Sequence, residues 1–332
     1  MSATATEMRT RRAASSRTLS DHQAGELDIA LAGVRQRCIP LLGIARDDFA
    51  LPSLGPWLRK LSSRLAGQGG FVVLRGGASV GSVREQRLVL WGIGQHLGTA
   101  VSQSSTGHLI RDLASSTAVD RYGRPLLVAD QRFHTDAADL TVLATGRAGA
   151  RIAVARAEDV VRTLRATRPD LATRLLRSYA FDLGVQGEGE QSFRMLPLVC
   201  ETDGQLNLRY DRSAIEAAQA SGLAPRLEPA DVELFDTIEA IASCPSVATV
   251  VELGPEEIAL LDNFAVLHAF LPQEANTVVH RLWVSAAQGR ALPADFTWES
   301  VGQGGARVRG GVTPSDLIGG SNLGTTACRR AG

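Results

Sequence analysis

The segment Asp130–Asp139, DQRFHTDAAD, sets His134 and Asp136 one residue apart. Side chains alternate along an extended strand, so both would project from one face. An imidazole nitrogen and a carboxylate oxygen can then take adjacent vertices of one metal ion. Two neutral imidazoles and one carboxylate, arranged facially, leave three positions of an octahedral iron open, enough for oxygen and a cosubstrate together. Alone, His-x-Asp is a short triplet that arises readily by chance in a chain with six His.

A second imidazole comes from Asp262-Asn-Phe-Ala-Val-Leu-His268, where an acidic–amide pair enters an apolar strand that ends in His. Read by itself, His268 among Ala265, Val266, Leu267 and Phe270 fits a satisfied core histidine equally well. Arg281 then stands in the apolar run Val278-Val279-His280-Arg281-Leu282-Trp283-Val284. A buried guanidinium needs an anion, because leaving it unpaired is costly. That anion is either an internal Asp or Glu or the carboxylate of a ligand held by two parallel N–H groups. His280 should point to the opposite face of the same strand.

Taken together, GFVVLRG at 70–76, FHTDAAD at 133–139, LLDNFAVLHAF at 260–270 and HRLWV at 280–284 resemble, in order and separation, the TauD/TfdA family of iron(II)- and 2-oxoglutarate-dependent oxygenases. The resemblance covers roughly residues 50 to 290. It implies a mainly β fold with flanking helices, the double-stranded β-helix or jelly roll. It implies His134, Asp136 and His268 as ligands of iron(II), Arg281 as the partner of the distal carboxylate of 2-oxoglutarate, and O2 as the oxidant. The implied reaction is hydroxylation of an unactivated C–H bond in a small molecule, an amino acid or a secondary-metabolite intermediate, with release of succinate and CO2. Desaturation, epoxidation or ring formation at the same site, or a catalytically silent jelly roll that binds a carboxylate, are the alternatives. Asp136 argues against halogenation, since halogenating relatives lack that carboxylate. Family members usually place a Thr or Ser on the strand after the His-x-Asp motif as a second donor to 2-oxoglutarate; the aligned position here is Ala150, with Thr141 and Thr145 nearby. The resemblance also suggests substrate contacts from Gln103, in the polar stretch 101–106, and from Arg209 and Arg212 beside Tyr210, against the plainer reading of polar loop residues at a surface.

The elements that must position these residues read as a mixture. Leu51–Ala66 and Val83–Leu97 carry helical periodicity, with glycines after each. GFVVLR at 70–75, Leu140–Ala144, Arg151–Ala155, Val247–Leu253, Ile258–Leu261, Ala265–His268 and Val278–Ser285 are apolar runs of strand length. Ala157–Ser178 reads as two helical pieces broken near Arg168-Pro169, and Ser213–Ala220 and Pro229–Ala242 as helices. Met195–Val199 and Gln205–Tyr210 flank Asp203-Gly204, a hairpin signal. Many short strands with helices early or inserted indicate a decorated barrel or sandwich rather than regular βαβ alternation. Three regions follow: a flexible arm at 1–25, one oxygenase-like domain at 26–299 and a Gly/Ser-rich flexible tail at 300–332.

Composition narrows the function classes. The 332 residues carry 35 basic and 35 acidic side chains, a formal net charge of zero, so a general nucleic-acid or anionic-membrane binder is not expected. No Gly-x-Gly-x-x-Gly follows a strand and no Gly-Lys-Ser/Thr occurs, which removes support for nucleotide folds. No apolar run reaches the length of a membrane span, and the first twenty residues lack the apolar core of a secretory signal. Cys38, Cys200, Cys244 and Cys328 share no short spacing, which points to reduced thiols in a cytoplasm rather than a zinc site or a disulfide framework. The expected partner is a small-molecule substrate, and a homo-oligomer is compatible with the sequence.

Overall fold

The computed structural model describes residues 16–77, 80–114, 132–146, 149–182, 193–271 and 277–314. The chain opens with β1 (Ser16–Thr18), α1 (Asp21–Gln36) and α2 (Leu54–Ser62), followed by β2 (Phe71–Arg75), α3 (Val83–Leu97), β3 (Gly98–Val101) and β4 (Ile110–Ala114). The middle contains β5 (Leu140–Thr145), β6 (Ala150–Arg156), α4 (Ala157–Thr167), α5 (Pro169–Ala172), β7 (Ser178–Asp182), β8 (Phe193–Pro197), β9 (Val199–Thr202) and β10 (Gln205–Leu208). Helices α6 (Arg212–Gln219) and α7 (Pro229–Ser243) precede β11 (Ala248–Leu253), β12 (Ile258–Asp262), β13 (Val266–Phe270) and β14 (Val278–Ala286), and a short pair, β15 (Glu299–Val301) and β16 (Arg307–Arg309), closes the described chain.

Two sheets face each other. The larger runs β1-β2-β12-β5-β14-β3, with β4 also paired to β14, and the smaller runs β11-β6-β13. Apart from the parallel β1–β2 edge, these ladders are antiparallel. The sheets have helices on their outer faces, so most of their strands are buried on both sides. That is why β2 reads as unbroken FVVLR: Phe71 and Val73 pack between the sheets, while Val72 and Leu74 pack outward against α1, α2 and α3. The same alternation runs along β14. Leu282 and Val284 face the outer helices; Val279 and Trp283 face inward, and Arg281 lies between them on the inner face. The smaller sheet sends Ala153, Ala155, Leu267 and Ala269 outward against α4 and α7, which leaves His268 pointing in. This is the jelly roll with flanking helices that the motifs implied.

Local signals explain the connections. Asp203 (φ 52°) and Gly204 (φ 72°) form the two-residue turn of the β9–β10 hairpin, where Thr202 pairs with Gln205. Pro169 breaks α4 from α5 as expected. Helix α3 starts at Ser82, whose hydroxyl accepts from the Glu85 N–H, and stops at Gly98. The expected strand Met195–Val199 is split at Leu198, because residues 193–197 pair with β7 whereas 199–202 pair with β10. Strands β1, β3, β4, β7, β15 and β16 were not expected.

The expected boundaries need correction at both ends. Residues 16–18 add to the large sheet, and α1 begins at Asp21 with a capping box between Ser20 and Gln23. His22 therefore lies on a helix, 3.4 Å from Glu26. At the other end, residues 300–314 fold back onto the domain rather than trailing from it: the Val312 N–H donates to Ser102 O at 2.9 Å, and Val312 is buried with Val101 and Trp283. The remainder of both expected flexible segments, 1–15 and 315–332, lies outside the described residues. Among the described residues no helix is long and apolar enough to cross a membrane, and Cys38, Cys200 and Cys244 are free thiols.

Candidate metal centre

His134 and His268 are brought face to face by the backbone. The two residues exchange both main-chain hydrogen bonds, His134 N–H to His268 O at 3.0 Å and His268 N–H to His134 O at 2.9 Å. This isolated bridge lies against β13 at the edge of the small sheet, and the ring centroids are 4.4 Å apart. Asp136, on the same face two residues along, completes the group. Its Oδ1 lies 3.6 Å from His134 Nε2 and its Oδ2 3.5 Å from His268 Nε2. One ligand atom from each of the three residues falls within 4.8 Å of the other two.

The second ring of contacts prepares these atoms for a cation. The Nδ1–H of His134 has the Arg132 carbonyl 2.8 Å away as its acceptor, which leaves the Nε2 lone pair for the centre. Both ring nitrogens of His268 are buried without a hydrogen-bond partner. An unpartnered buried imidazole is expensive, and a metal ion at the centre is one partner that would relieve it. Burial, reinforced by His134, pushes the His268 pKa down to about 3, so this ring stays neutral and able to coordinate. Burial alone would raise the Asp136 carboxyl, but Arg281 and the two imidazoles outweigh it and hold it well below the usual carboxylate range. Burial lowers the His134 pKa while the Asp136 carboxylate raises it, and the net shift is upward. A carboxylate, a neutral imidazole and a second imidazole with its outer nitrogen anchored form a donor set that fits iron.

Asp136 is gripped from three sides. Thr141 Oγ1 donates to Oδ2 at 2.6 Å, and Arg281 Nη1 donates to Oδ1 at 2.8 Å. The Asp136 N–H donates to Asn263 Oδ1 at 3.2 Å, and Asn263 Nδ2 donates to Thr141 Oγ1 at 3.0 Å. Thr141 is thus occupied by the metal-site carboxylate. Thr145, the other hydroxyl near the expected position, donates to Gly254 O at 3.2 Å, and Ala150 packs between the sheets. Neither Thr141 nor Thr145 stands free as the second donor to a cosubstrate.

The other expected site residues divide. Gln103 reaches the site but serves Arg281: its Oε1 accepts from Arg281 Nε at 2.8 Å, and its Nε2 donates to Arg281 O at 2.8 Å and Leu109 O at 2.9 Å. It is a clamp on the guanidinium, not a free pocket lining. Arg212 is held by carboxylates of α6 and α7, Glu216 and Asp236 at 2.6 Å each and Glu239 at 3.4 Å, and so is committed to a helix-surface network rather than to a ligand. Arg209 is buried, with its guanidinium stacked 4.3 Å from the Trp298 ring. His280 faces the outer side, bonded to Asp112 at 2.8 Å, and His96 hydrogen-bonds Phe49 O at 2.7 Å. Thr141 and Gln103 stood out in the sequence for other roles, a cosubstrate donor and a substrate contact, whereas Asn263, 127 positions from Asp136, carries no spacing signal beyond the Asp262-Asn263 pair preceding β13.

A family model described as taurine catabolism dioxygenase TauD, TfdA family, matches residues 37–283. The chain belongs to this family. Its matching region contains the triad, the Gln103–Arg281 clamp, the smaller sheet and most of the larger one, and the protein is accordingly a dioxygenase of the TauD, TfdA type. Among curated relatives, FR-33289 synthase of Streptomyces rubellomurinus is 24% identical over 296 residues, covering 84% of this chain and 87% of the relative. A taurine hydroxylase-like protein, SAT17, of Stachybotrys chartarum is 27% identical over 268 residues, covering 76% of this chain and 68% of the relative. Among solved structures, an asparagine oxygenase in complex with Fe(II), 2S,3S-3-hydroxyasparagine and succinate superposes with a TM-score of 0.62 at 17% identity, covering 81% of this chain and 93% of that one. The non-heme iron oxygenase OrfP, in complex with Fe and alpha-ketoglutaric acid, gives 0.53 at 17% identity with the same coverages. At these identities the solved structures confirm the fold.

Proposed function

We propose that this protein is an iron(II)- and 2-oxoglutarate-dependent oxygenase that hydroxylates a C–H bond of a small molecule. The observation that carries the proposal is the convergence of His134, Asp136 and His268 on one point, with both ring nitrogens of His268 left without a hydrogen-bond partner among the described residues. When bound there, iron(II) with 2-oxoglutarate and O2 supplies oxidative decarboxylation coupled to oxygen insertion, so that cosubstrate, O2 and R–H become succinate, CO2 and R–OH.

The chain's own residues supply position and exclusion. Arg132 O fixes the His134 tautomer. Thr141 and Asn263 hold the Asp136 carboxylate in one orientation. Arg281 is the proposed partner of the distal carboxylate of 2-oxoglutarate. Its Nε and Nη1 are engaged by Gln103 and Asp136, and Nη2 has no partner among the described residues. That nitrogen is the donor left for an anion. With Ala150 at the position of the usual hydroxyl, cosubstrate binding rests on Arg281 more heavily. The apolar inter-sheet residues around it keep water from competing for the same hydrogen bonds.

The asparagine oxygenase and OrfP structures hold small hydroxylated amino acids together with succinate, and FR-33289 synthase is named for making a compound. They support a small polar molecule, an amino acid or a biosynthetic intermediate, as the substrate class. The test is succinate release in a substrate screen with iron(II) and 2-oxoglutarate. The proposal expects 2-oxoglutarate-dependent succinate from wild type and none above background from His268→Ala. Equal succinate from both would overturn the ligand assignment.

A further inference from the structure

Trp283 buries an indole N–H that no described residue accepts. The residue is 7% exposed, and its Nε1 is buried without a hydrogen-bond partner. Its neighbours Val101, Ala138 and Val312 carry no acceptor in their side chains. A buried indole N–H ordinarily finds a partner, because leaving it unpaired forfeits the hydrogen bond it made to water. Two other tryptophans follow that rule. Trp91 Nε1 donates to Ile44 O at 3.0 Å, and Trp298 Nε1 donates to Gly311 O at 2.8 Å. Phe at position 283 would fill much of the same space without an unpaired donor, so the N–H there calls for a partner of its own.

The setting of the ring points to that partner. Trp283 stands on the inner face of β14, two residues from Arg281, and the ladder sets it opposite Thr141 on β5 and Val101 on β3. Residues directly opposite in an antiparallel ladder hold their Cβ atoms about 5 Å apart on one face. Thr141 donates to Asp136 Oδ2 at 2.6 Å. The Arg281 guanidinium lies over the Trp283 ring, with Cζ 4.8 Å from the centroid, and its Nη1 donates to Asp136 Oδ1 at 2.8 Å. Two separate neighbours of the indole are therefore bonded to the metal-site carboxylate.

The free donors match one chemistry. Gln103 and Asp136 occupy Nε and Nη1 of Arg281, which leaves Nη2. The indole beside it donates and cannot accept, so its partner has to be an acceptor. A carboxylate has two oxygens and accepts on both. The hydroxyls near the cosubstrate position are committed elsewhere, Thr141 to Asp136 and Thr145 to Gly254 O, and Ala150 has none.

We propose that Trp283 is the second donor of the cosubstrate site: its indole N–H and Arg281 Nη2 each bind one oxygen of the distal carboxylate of 2-oxoglutarate. Trp283 then takes the place of the missing hydroxyl and selects a dicarboxylic over a monocarboxylic 2-oxo acid. The inference deepens the oxygenase reading and rests on it, and on the assignment of Arg281 to the same carboxylate.

The test uses the full chain with iron(II) under anaerobic conditions. 2-Oxoglutarate and 2-oxopentanoate, which has the same chain length and no distal carboxylate, are titrated separately and read by the visible absorption of the chelate. Trp283→Phe keeps a ring under Arg281 and removes the N–H. It should raise half-saturation by 2-oxoglutarate at least about tenfold, the loss expected for a hydrogen bond to a charged group. Half-saturation by 2-oxopentanoate, and by iron(II) alone in calorimetry, should stay within twofold of wild type. A second measurement needs no variant at the site: with zinc(II) in place of iron(II), one indole N–H signal in the nitrogen-15 spectrum should move downfield as 2-oxoglutarate binds and stay in place with 2-oxopentanoate. Equal 2-oxoglutarate half-saturation in wild type and Trp283→Phe overturns the inference, as does equal weakening of both oxo acids, which would make the ring a wall of the site. A weaker iron(II) titration would make Trp283 a support of Asp136 and overturn it too, and so would a spectrum in which no indole signal responds to bound 2-oxoglutarate. A wild type that forms no band with 2-oxoglutarate sinks the oxygenase reading and the inference together, whereas a band indifferent to Trp283→Phe sinks the inference alone.

Discussion

Thr141 and Arg281 divide the two oxygens of Asp136 between them, and each makes a separate prediction. Thr141→Val keeps the shape of the side chain and removes the 2.6 Å hydrogen bond to Oδ2. A hydrogen bond to a charged group contributes about 1.5–3 kcal/mol, and loss of such outer contacts lowers metal affinity by about 10- to 100-fold. Iron(II) titration of Thr141→Val should show half-saturation shifted upward by about tenfold or more, with little change in melting temperature. An unchanged iron titration would mean that Asp136 is held without Thr141. Arg281 acts on the cosubstrate as well. Truncating one partner of a buried charge pair typically costs about 2–5 kcal/mol, and about 1.4 kcal/mol is a factor of ten, so Arg281→Ala should raise the 2-oxoglutarate requirement by roughly thirtyfold or more. Arg281→Lys should recover only part, because Lys cannot meet Gln103 and an anion from one planar fork. Equal half-saturation for wild type and Arg281→Ala would assign the distal carboxylate to another residue.

At the scale of elements, the C-terminal segment is a strap over the loop that carries Asp136. Arg309 grips Asp139 with two nitrogens, the Ala286 N–H donates to the same carboxylate at 2.9 Å, and the Gly311 N–H meets Ala137 O. Gly310 has φ 79°, and a Cβ on it would stand 2.7 Å from Ala137 O. Here glycine allows close backbone approach. Arg309→Ala should therefore loosen residues 136–139, seen as faster amide exchange there and weaker iron(II) binding, with the helices on the far side of the large sheet unaffected. Exchange unchanged at 136–139 would show that the strap bears no load on the site. The same region shows why part of the architecture was illegible. A glycine-rich sequence without apolar periodicity reads as flexible, and nothing local announces that Arg309 bonds a carboxylate 170 positions away. Gln103 and Arg281, 178 apart, pose the same difficulty. By contrast β2, β5, β12 and β14 were visible because burial on both faces leaves continuous apolar runs, and His134, Asp136 and His268 because their spacing and setting matched a known motif. Strand β4, Ile110–Ala114, hid because Arg111 and Asp112 interrupt its apolar residues.

For the molecule as a whole, two sheets with helices on both outer faces bury several ionisable groups, and His96, away from the metal centre, is one that links stability to pH. His96 lies in the helical layer against Phe49 O, and burial holds its pKa below the usual imidazole value near 6.5. The unfolded chain thus binds a proton below that pH which the folded protein resists. Stability should fall as pH drops through 6.5, by up to about 1.4 kcal/mol per pH unit from this residue. Denaturant unfolding of wild type and His96→Gln between pH 7.5 and 5.5 should show the shallower slope in the variant; parallel slopes would remove His96 as the cause. The claim on which everything else depends is that the two facing sheets hold His134, Asp136 and His268 as one iron site open to 2-oxoglutarate. Anaerobic addition of iron(II) and 2-oxoglutarate to the full chain tests it most directly. Wild type should develop the weak visible absorption of the chelate and lose it on exposure to O2 with release of succinate, while His268→Ala, still folded, develops none. A folded wild type that never develops the band, or a His268→Ala variant that develops it at the same half-saturation, would contradict the account.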